Sequence, residues 1–454
     1  VGLEKTYLPI AAKEDIDAIN PMNLNEVLEG QNDMIWTWWH YPQVQYFKRS
    51  RECLYWTYTT SDGYGGVAQY DYRTGKTIKN HLKKNSSVDD HNVLAVHVRS
   101  NGHIIAAYSS GHDYDRFLHI RHSTARENIE HFEDEIVIES SANVTYAQIH
   151  EYNNVIFIFY RRNSKDWVVI SSNDGGYTWT SEEVVVHSTV QYYVLFKPTT
   201  TTGVLRMVMY SNPTAGEPEI RQGFLHFDTW GIYDTDNTTL LGTSNVDYTD
   251  FTTLIALEDA ESKPYQRFLD VAVTAPTTTR ILYCQFSDDT DGDAIYQLYS
   301  NGTSYDITAA GAPFWIPKYQ GGCSFISDHE MIVISNKSDN KDYVDLYSFA
   351  NNTITKVSTI YSEANGTEPI RCGRPIVDIN GHAVIWHRGY YNPNGFTDFN
   401  TDAMIYDLDT GAFLGQSTLL NTYVGVSNAG KFLTVDSNGK IVLSTITSAS
   451  GVSF

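Results

Sequence analysis

Apolar and polar residues alternate in short runs along most of this chain. From about Met34 to the C-terminus, segments of Val, Ile, Tyr, Phe and Thr are separated by turns of Asn, Asp and Gly. This period of two is the pattern of half-buried strands. A helical spacing occurs only in a short stretch near Glu14–Leu28. Similar strand-turn-strand tips recur at Gln69–Lys76, Ser171–Trp179, Tyr299–Thr303 and Tyr406–Gly411, as four-stranded propeller blades would produce. At roughly 50–65 residues per blade the chain supplies about seven. The expected fold is therefore all-β, a seven-bladed β-propeller; a pair of β-sandwiches or a β-helix is the alternative, and the lack of short regular repeats disfavours the β-helix. No Pro/Gly/Ser-rich linker interrupts the pattern, so residues 1–454 read as a single propeller domain, the first ~30 residues being a lead-in.

Composition narrows the partners. The formal net charge is −22, which argues against binding nucleic acid through a basic surface. It leaves room for an anionic ligand in a locally basic cleft. No apolar run approaches a membrane span, and the chain opens at Val1 without a basic and apolar leader, so it reads as a mature or trimmed form. The acidic, Asn- and Thr-rich composition suits a secreted or periplasmic protein in a salty medium. A monomer is expected.

Chemistry concentrates in three successive hairpins. The runs Asp90–Val98 and Asn101–Tyr108 flank an Asn-Gly turn, so His91 should enter the first strand and His112 should follow the second, both at one open end. Paired imidazoles on a rigid sheet suit proton transfer near neutral pH; the plainer reading is two polar hairpin ends. The next hairpin brings Tyr146 and the Arg161/Arg162 pair to strand ends, and the following one brings Tyr193, Lys197 and Arg206. In a propeller, comparable positions in adjacent blades converge around the axis. Tyrosine is common here, 32 residues in all, so any single Tyr reads first as a packed aromatic. The combination of His, Tyr and Arg carries more weight.

These residue types fit β-elimination on a uronic-acid polysaccharide. A cation such as Arg neutralises the carboxylate and stabilises the enolate-like intermediate. A His or Tyr removes the C5 proton, and another protonates the leaving oxygen on C4. No cofactor is required. Hydrolysis would call for two facing carboxylates, and no convincing pair stands in these blades.

His91-Asn92 with His112, Thr145-Tyr146-x-Gln148, Phe159-Tyr160-Arg161, the Asp-box at Ser172–Trp179 and Tyr193-x-x-Phe196-Lys197 together resemble the seven-bladed propeller ulvan lyases and their BNR-4-type relatives. The resemblance spans roughly residues 35–235. It implies β-elimination on ulvan, a sulfated rhamnose–uronate polysaccharide, with His91 and His112 as the paired histidines. It also implies Tyr146 or Tyr193 as the proton-transfer tyrosine, and Arg161, Arg162 or Arg206 as the neutraliser. Asn92, Arg161, Arg162 and Lys197 would hold substrate. A propeller of this kind also carries rhamnosidases acting on rhamnose–glucuronate, and a non-catalytic carbohydrate-binding propeller would use similar residues.

Two segments are candidates for structural ions. Cys284, Cys323 and Cys372 fall in the last third beside His329, His382 and His387. Their spacing matches no standard zinc site, so buried thiols are the first reading and a structural zinc near Cys323, Cys372 and His387 the second. Ser287–Asp293 places oxygen ligands at Asp289, Asp291 and Asp293, like the first half of a calcium loop, but without its distal Glu.

Overall fold

The computed structural model describes residues 33–34, 39–60, 63–85, 91–211, 219–256, 265–286, 295–307, 322–337, 341–364, 372–378, 380–391, 399–416, 431–435 and 441–445. The chain divides into two compact units, one formed by Gln31–Thr418 and the other by Val1–Gly30 with Leu419–Phe454. In the latter, the described residues form a hairpin of Lys431–Val435 and Ile441–Thr445. The helical spacing near Glu14–Leu28 and the acidic loop with Asp289, Asp291 and Asp293 lie outside the described residues.

Among the described residues of Gln31–Thr418, seven sheets follow one another along the chain as the blades of a β-propeller, antiparallel throughout except where Val186–His187 pairs in parallel with Val246–Asp247. The inner strands, in order, are Val44–Lys48, Ala95–Val98, Val144–Tyr152, Tyr192–Pro198, Tyr265–Val271, Cys323–Phe325 and Cys372–Val377. Each is followed by successive partners toward the rim, as in blade 2, where Ala95–Val98 pairs with Ile104–Ser109, then Phe117–His122, then Ile136–Glu139. Among the described residues the helical content is a 3₁₀ turn at Tyr248–Asp250. No helix among the described residues is long and apolar enough to cross a membrane.

The alternation explains the packing. Each sheet buries apolar side chains on both faces against its neighbours. Leu94, Val96 and Ile104 pack toward blade 1, while Ala95, Ile105 and Ala107 pack toward blade 3. Burying a side chain such as Ile105 is worth about 2 kcal/mol relative to exposure. Polar ties add register to this nondirectional force. Gln45 of blade 1 holds Val98 N at 2.7 Å, and Gln148 of blade 3 holds Val194 O at 2.6 Å and Phe196 N at 2.9 Å. Asp270 of blade 5 holds Phe325 N at 3.0 Å. Asp378, after the blade 7 inner strand, accepts from Tyr46 N of blade 1 at 2.7 Å and closes the ring. Each tie seats a side-chain amide or carboxylate against the backbone of the next inner strand, which would otherwise be left with unsatisfied polar groups.

The Asp-box is a structural turn, as its residue types imply. Asp174 Oδ1 accepts from Ser172 Oγ at 2.7 Å and from Tyr177 N and Thr178 N at 3.0 Å each. Hydrogen bonds from Thr178 foremost hold its carboxyl well below the usual carboxylate range. Gly175 and Gly176 adopt φ of 95° and 99°, a region closed to most side chains.

Candidate active site

The site begins with the blade 2 hairpin. Val98 pairs with Ile104 across the turn, where Gly102 takes a φ of 90°, so the residues before Ala95 and after Ser109 share one end of the hairpin. The side chains found there are His91 and His112. Their rings stack with centroids 4.2 Å apart and 6° between planes. His91 is 6% exposed, whereas the His112 side chain is 27% exposed. His112 is therefore the more open partner.

Blade 3 adds Tyr146 through a local distortion. Thr145 pairs with Arg161 and Gln148 with Phe159, leaving Tyr146 and Ala147 opposite Tyr160 alone. This is a β-bulge. Tyr146 takes the extra turn in a left-handed conformation, φ 59°, which costs a residue with a Cβ about 1–2 kcal/mol. The bulge re-aims the ring toward blade 2, and its hydroxyl lies 3.2 Å from His112 Nε2. Arg161, on the adjacent strand, is fully buried. Its guanidinium lies 4.6 Å from the Tyr146 ring centroid and 5.1 Å from that of Tyr193. Its Nη2 donates to Asp113 Oδ2 at 2.7 Å and reaches within 3.5 Å of His112 Nε2. Burial opposes the charge of Arg161, but the neighbouring Tyr146 and Asp113 outweigh it and keep the group cationic. An arginine can only donate, so the His112 tautomer that fits carries its proton on Nδ1 and presents Nε2 as an acceptor.

A segment before the blade 1 inner strand supports the cluster from behind. Tyr41 N donates to Ala147 O and Ile149 N donates to Tyr41 O, so Trp39–Tyr41 runs beside the blade 3 inner strand. Trp39 stacks on the half-buried Tyr193 at 4.7 Å. His40 places Nε2 3.2 Å from His91 O and its ring edge against Tyr146. Burial above all, with Lys83 and the two site histidines, pushes the His40 pKa down to about 3. His40 is thus a neutral support.

Five of the sequence candidates meet here: His91, His112, Tyr146, Arg161 and Tyr193. Asn92 is buried beside His91, where its carbonyl accepts from Thr59 Oγ1 at 3.1 Å. The structure does not bring Arg206 or Lys197 to the cluster. In blade 4, Tyr193 pairs with Tyr210 and Lys197 with Arg206. Four residues along a strand is about 13 Å, so the two basic residues sit at the opposite end of that hairpin. Arg206 is enclosed by acceptors, Gln222 Oε1 at 2.8 Å, Thr279 Oγ1 at 2.9 Å and Thr278 O at 2.6 Å among them. Burial lowers its pKa to about 10. Lys197 pairs with buried Asp270 at 2.8 Å. Arg162, one residue on from Arg161, turns to the other face of the sheet and pairs with Asp166 and Glu182, each at 2.8 Å. These three cations brace the blades.

Reasoning from sequence missed Trp39, His40 and Asp113, and also Ser164, whose Oγ donates to Asp113 Oδ2 at 2.9 Å. Asp113 follows His112 directly, and that adjacency was the one signal available. A cavity of about 580 Å³ opens at the Lys197 end, lined by residues including Tyr41, Lys197, Arg280, Asp328 and Asp378. Its cations are already paired, Lys197 with Asp270 and Arg280 with Asp328. Among the described residues no group of three or more His, Cys, Asp or Glu is arranged to hold a metal. Cys323 is a buried free thiol, its pKa driven up by burial. Cys372 and His387 stand opposite each other in strand register, and their side chains lie outside the described residues.

Residues 54–169 match the model of the BNR repeat-containing family. No curated protein matches the chain. Two solved structures of a PL25 ulvan lyase align with TM-scores of 0.59 and 0.60 at 12% and 13% identity. Both alignments cover 84% of this chain and 97% of the other, and the first structure holds a bound -[GlcA(1-4)Rha3S]- saccharide. The polysaccharide lyase Uly1 aligns with a TM-score of 0.55 at 14% identity, covering 82% of this chain and 90% of its own. The chain is therefore similar in fold to the seven-bladed propeller ulvan lyases, over most of the length of each.

Proposed function

We propose that the protein is a polysaccharide lyase that cleaves ulvan, or a closely related sulfated rhamnose–glucuronate polymer, by β-elimination. The observation that carries this reading is the contact of Tyr146 with His112 Nε2 at 3.2 Å, beside a stacked second imidazole and above a buried guanidinium. One hydrogen-bonded unit then contains a base, an acid and a fixed positive charge.

In this reading His112 Nε2 takes the C5 proton of the uronate. The C5–H electron pair becomes the C4=C5 double bond as the C4–O4 bond breaks, and the Tyr146 hydroxyl delivers its proton to O4. Transfer of the new proton from His112 to the tyrosine oxygen would then reset both groups. Arg161 supplies positive charge to the carboxylate as enolate character develops, and Tyr193 covers it from blade 4. An acid and a base side by side suit a sugar whose C5 proton and O4 lie on one side of the ring, as in glucuronate. The saccharide bound by the similar PL25 ulvan lyase contains glucuronate. The scheme draws on side chains alone, and a polymeric substrate suits a secreted or periplasmic protein.

The test is ultraviolet absorbance during incubation with ulvan, beside heparin, alginate and gum arabic. A conjugated unsaturated uronate adds a new band, expected with ulvan alone. Release of rhamnose without that band would replace the lyase by a glycosidase, and binding without any product would replace it by a carbohydrate-binding propeller.

A further inference from the structure

The loop that carries His112 is tied to blade 3 at several points, and Asp113 is the centre of them. Its carboxylate Oδ2 accepts from Arg161 Nη2 at 2.7 Å and from Ser164 Oγ at 2.9 Å. Its backbone carbonyl accepts from Asn143 Nδ2 at 2.7 Å, and Val144 N donates to Asp115 O at 2.8 Å. Asp113 itself adopts φ 49°, a left-handed conformation that Asp tolerates better than most residues. The same Oδ2 lies 3.8 Å from His112 Nε2.

Resting on the lyase reading for its catalytic consequence, we propose that Asp113 is a positioning residue. It clips the blade 2 loop to blade 3, fixes the orientation of the Arg161 guanidinium, and sets the approach of His112 to Tyr146. The clip crosses a boundary between blades, so it determines whether groups carried by different sheets act as one site. Its carboxylate also faces His112 as a negative charge. Among the described residues, the other groups facing that imidazole include His91 from its own blade, His40 from the Trp39–Tyr41 segment, and Tyr146 and Arg161 from blade 3. Replacing Asp113 by Asn removes the charge that makes the hydrogen bonds from Arg161 and Ser164 charge-assisted, and so loosens the clip while keeping the side chain's size.

The experiment compares wild type with Asp113→Asn by lyase kinetics against pH and by NMR titration of the His112 ring. A positioning role predicts that kcat falls at least about tenfold while KM changes less than about threefold, since misplacement of reacting groups acts on the chemical step. It also predicts that the His112 titration midpoint drops by at least about half a pH unit, because a stabilising negative charge beside the imidazolium is gone. Kinetics within twofold of wild type together with an unmoved midpoint would overturn the proposal. If the wild type forms no unsaturated uronate, the lyase reading fails by itself, and the midpoint alone then decides the clip. Should Asp113→Asn not fold, Ser164→Ala removes one of the two side-chain hydrogen bonds to the same oxygen. A fall in kcat of about twofold or more at constant KM is then expected, and no change would count against the clip.

Discussion

The imidazoles of His91 and His112 lie face to face at 4.2 Å and 6° from parallel, one buried and the other open to the surface. Two positively charged rings at this spacing would repel, so the arrangement disfavours protonating both imidazoles at once. His112→Ala should lower lyase kcat by about 10²–10⁴, the range for a lost acid–base group. His91→Ala should cost less, and both should melt within a few degrees of wild type. Full turnover by His112→Ala would remove the histidine pair from the mechanism.

Tyr146 combines a left-handed backbone with a hydroxyl 3.2 Å from His112 Nε2. Tyr146→Phe keeps the ring on Arg161 and the bulge, so stability should change by less than about 1 kcal/mol while activity falls by about 10² or more. Thermal melts and steady-state kinetics on the same preparation separate the two effects. An active Phe variant would move the acid role to Tyr193.

The Arg161 guanidinium lies over two tyrosine rings, 4.6 Å from that of Tyr146 and 5.1 Å from that of Tyr193, and its Nη2 donates to Asp113. A lysine supplies the charge without the plane or the fork. Arg161→Lys is expected to recover little of the activity lost in Arg161→Gln, with kcat/KM down by about 10² in both. A lysine variant near wild-type rate would show that charge alone suffices.

The opposite end of blade 4 should respond in stability and not in chemistry. Lys197→Met leaves buried Asp270 without its cation, a loss of about 3 kcal/mol for a broken buried pair. Arg206→Gln strands the acceptors that now surround the guanidinium. Both variants should unfold at lower denaturant concentration yet keep the wild-type rate per folded molecule. A specific loss of kcat in Arg206→Gln, with stability unchanged, would restore that residue to the site.

Two buried histidines make stability depend on pH. His40 and His150 have pKa values pushed down to about 3, in both cases mainly by burial. In the unfolded chain they bind protons below about 6.5. The unfolded state therefore takes up protons that the native state refuses, and stability falls as pH drops from about 6.5 towards 3. Each group contributes a slope of about 1.4 kcal/mol per pH unit across that window. Chemical denaturation at pH 6.5 and 5.5 should show the slope, and His150→Leu should flatten it by about one proton. An equal slope in that variant would mean His150 is not held neutral in the fold.

Much of this protein is determined by local sequence. Alternation and Asn-Gly or Asp-Gly turns fix the strands, their register within a hairpin and the repeated blade, because a side-chain period of two and a turn geometry are properties of a few neighbouring residues. That is why the His91–His112 pair was legible: both histidines belong to one hairpin. Position along a strand, however, does not reveal which end of a hairpin reaches the site or which face a side chain takes. Arg161 and Arg162 are adjacent and identical in type, yet one enters the cluster and the other braces the rim. Arg206 and Lys197 look equally fit for an anionic substrate and are spent on holding blade 4 to its neighbours. The clip at Asp113 and the support from Trp39 and His40 arise where separate blades meet. Only the closed ring decides these, since they depend on contacts between segments far apart in the chain that no local pattern encodes.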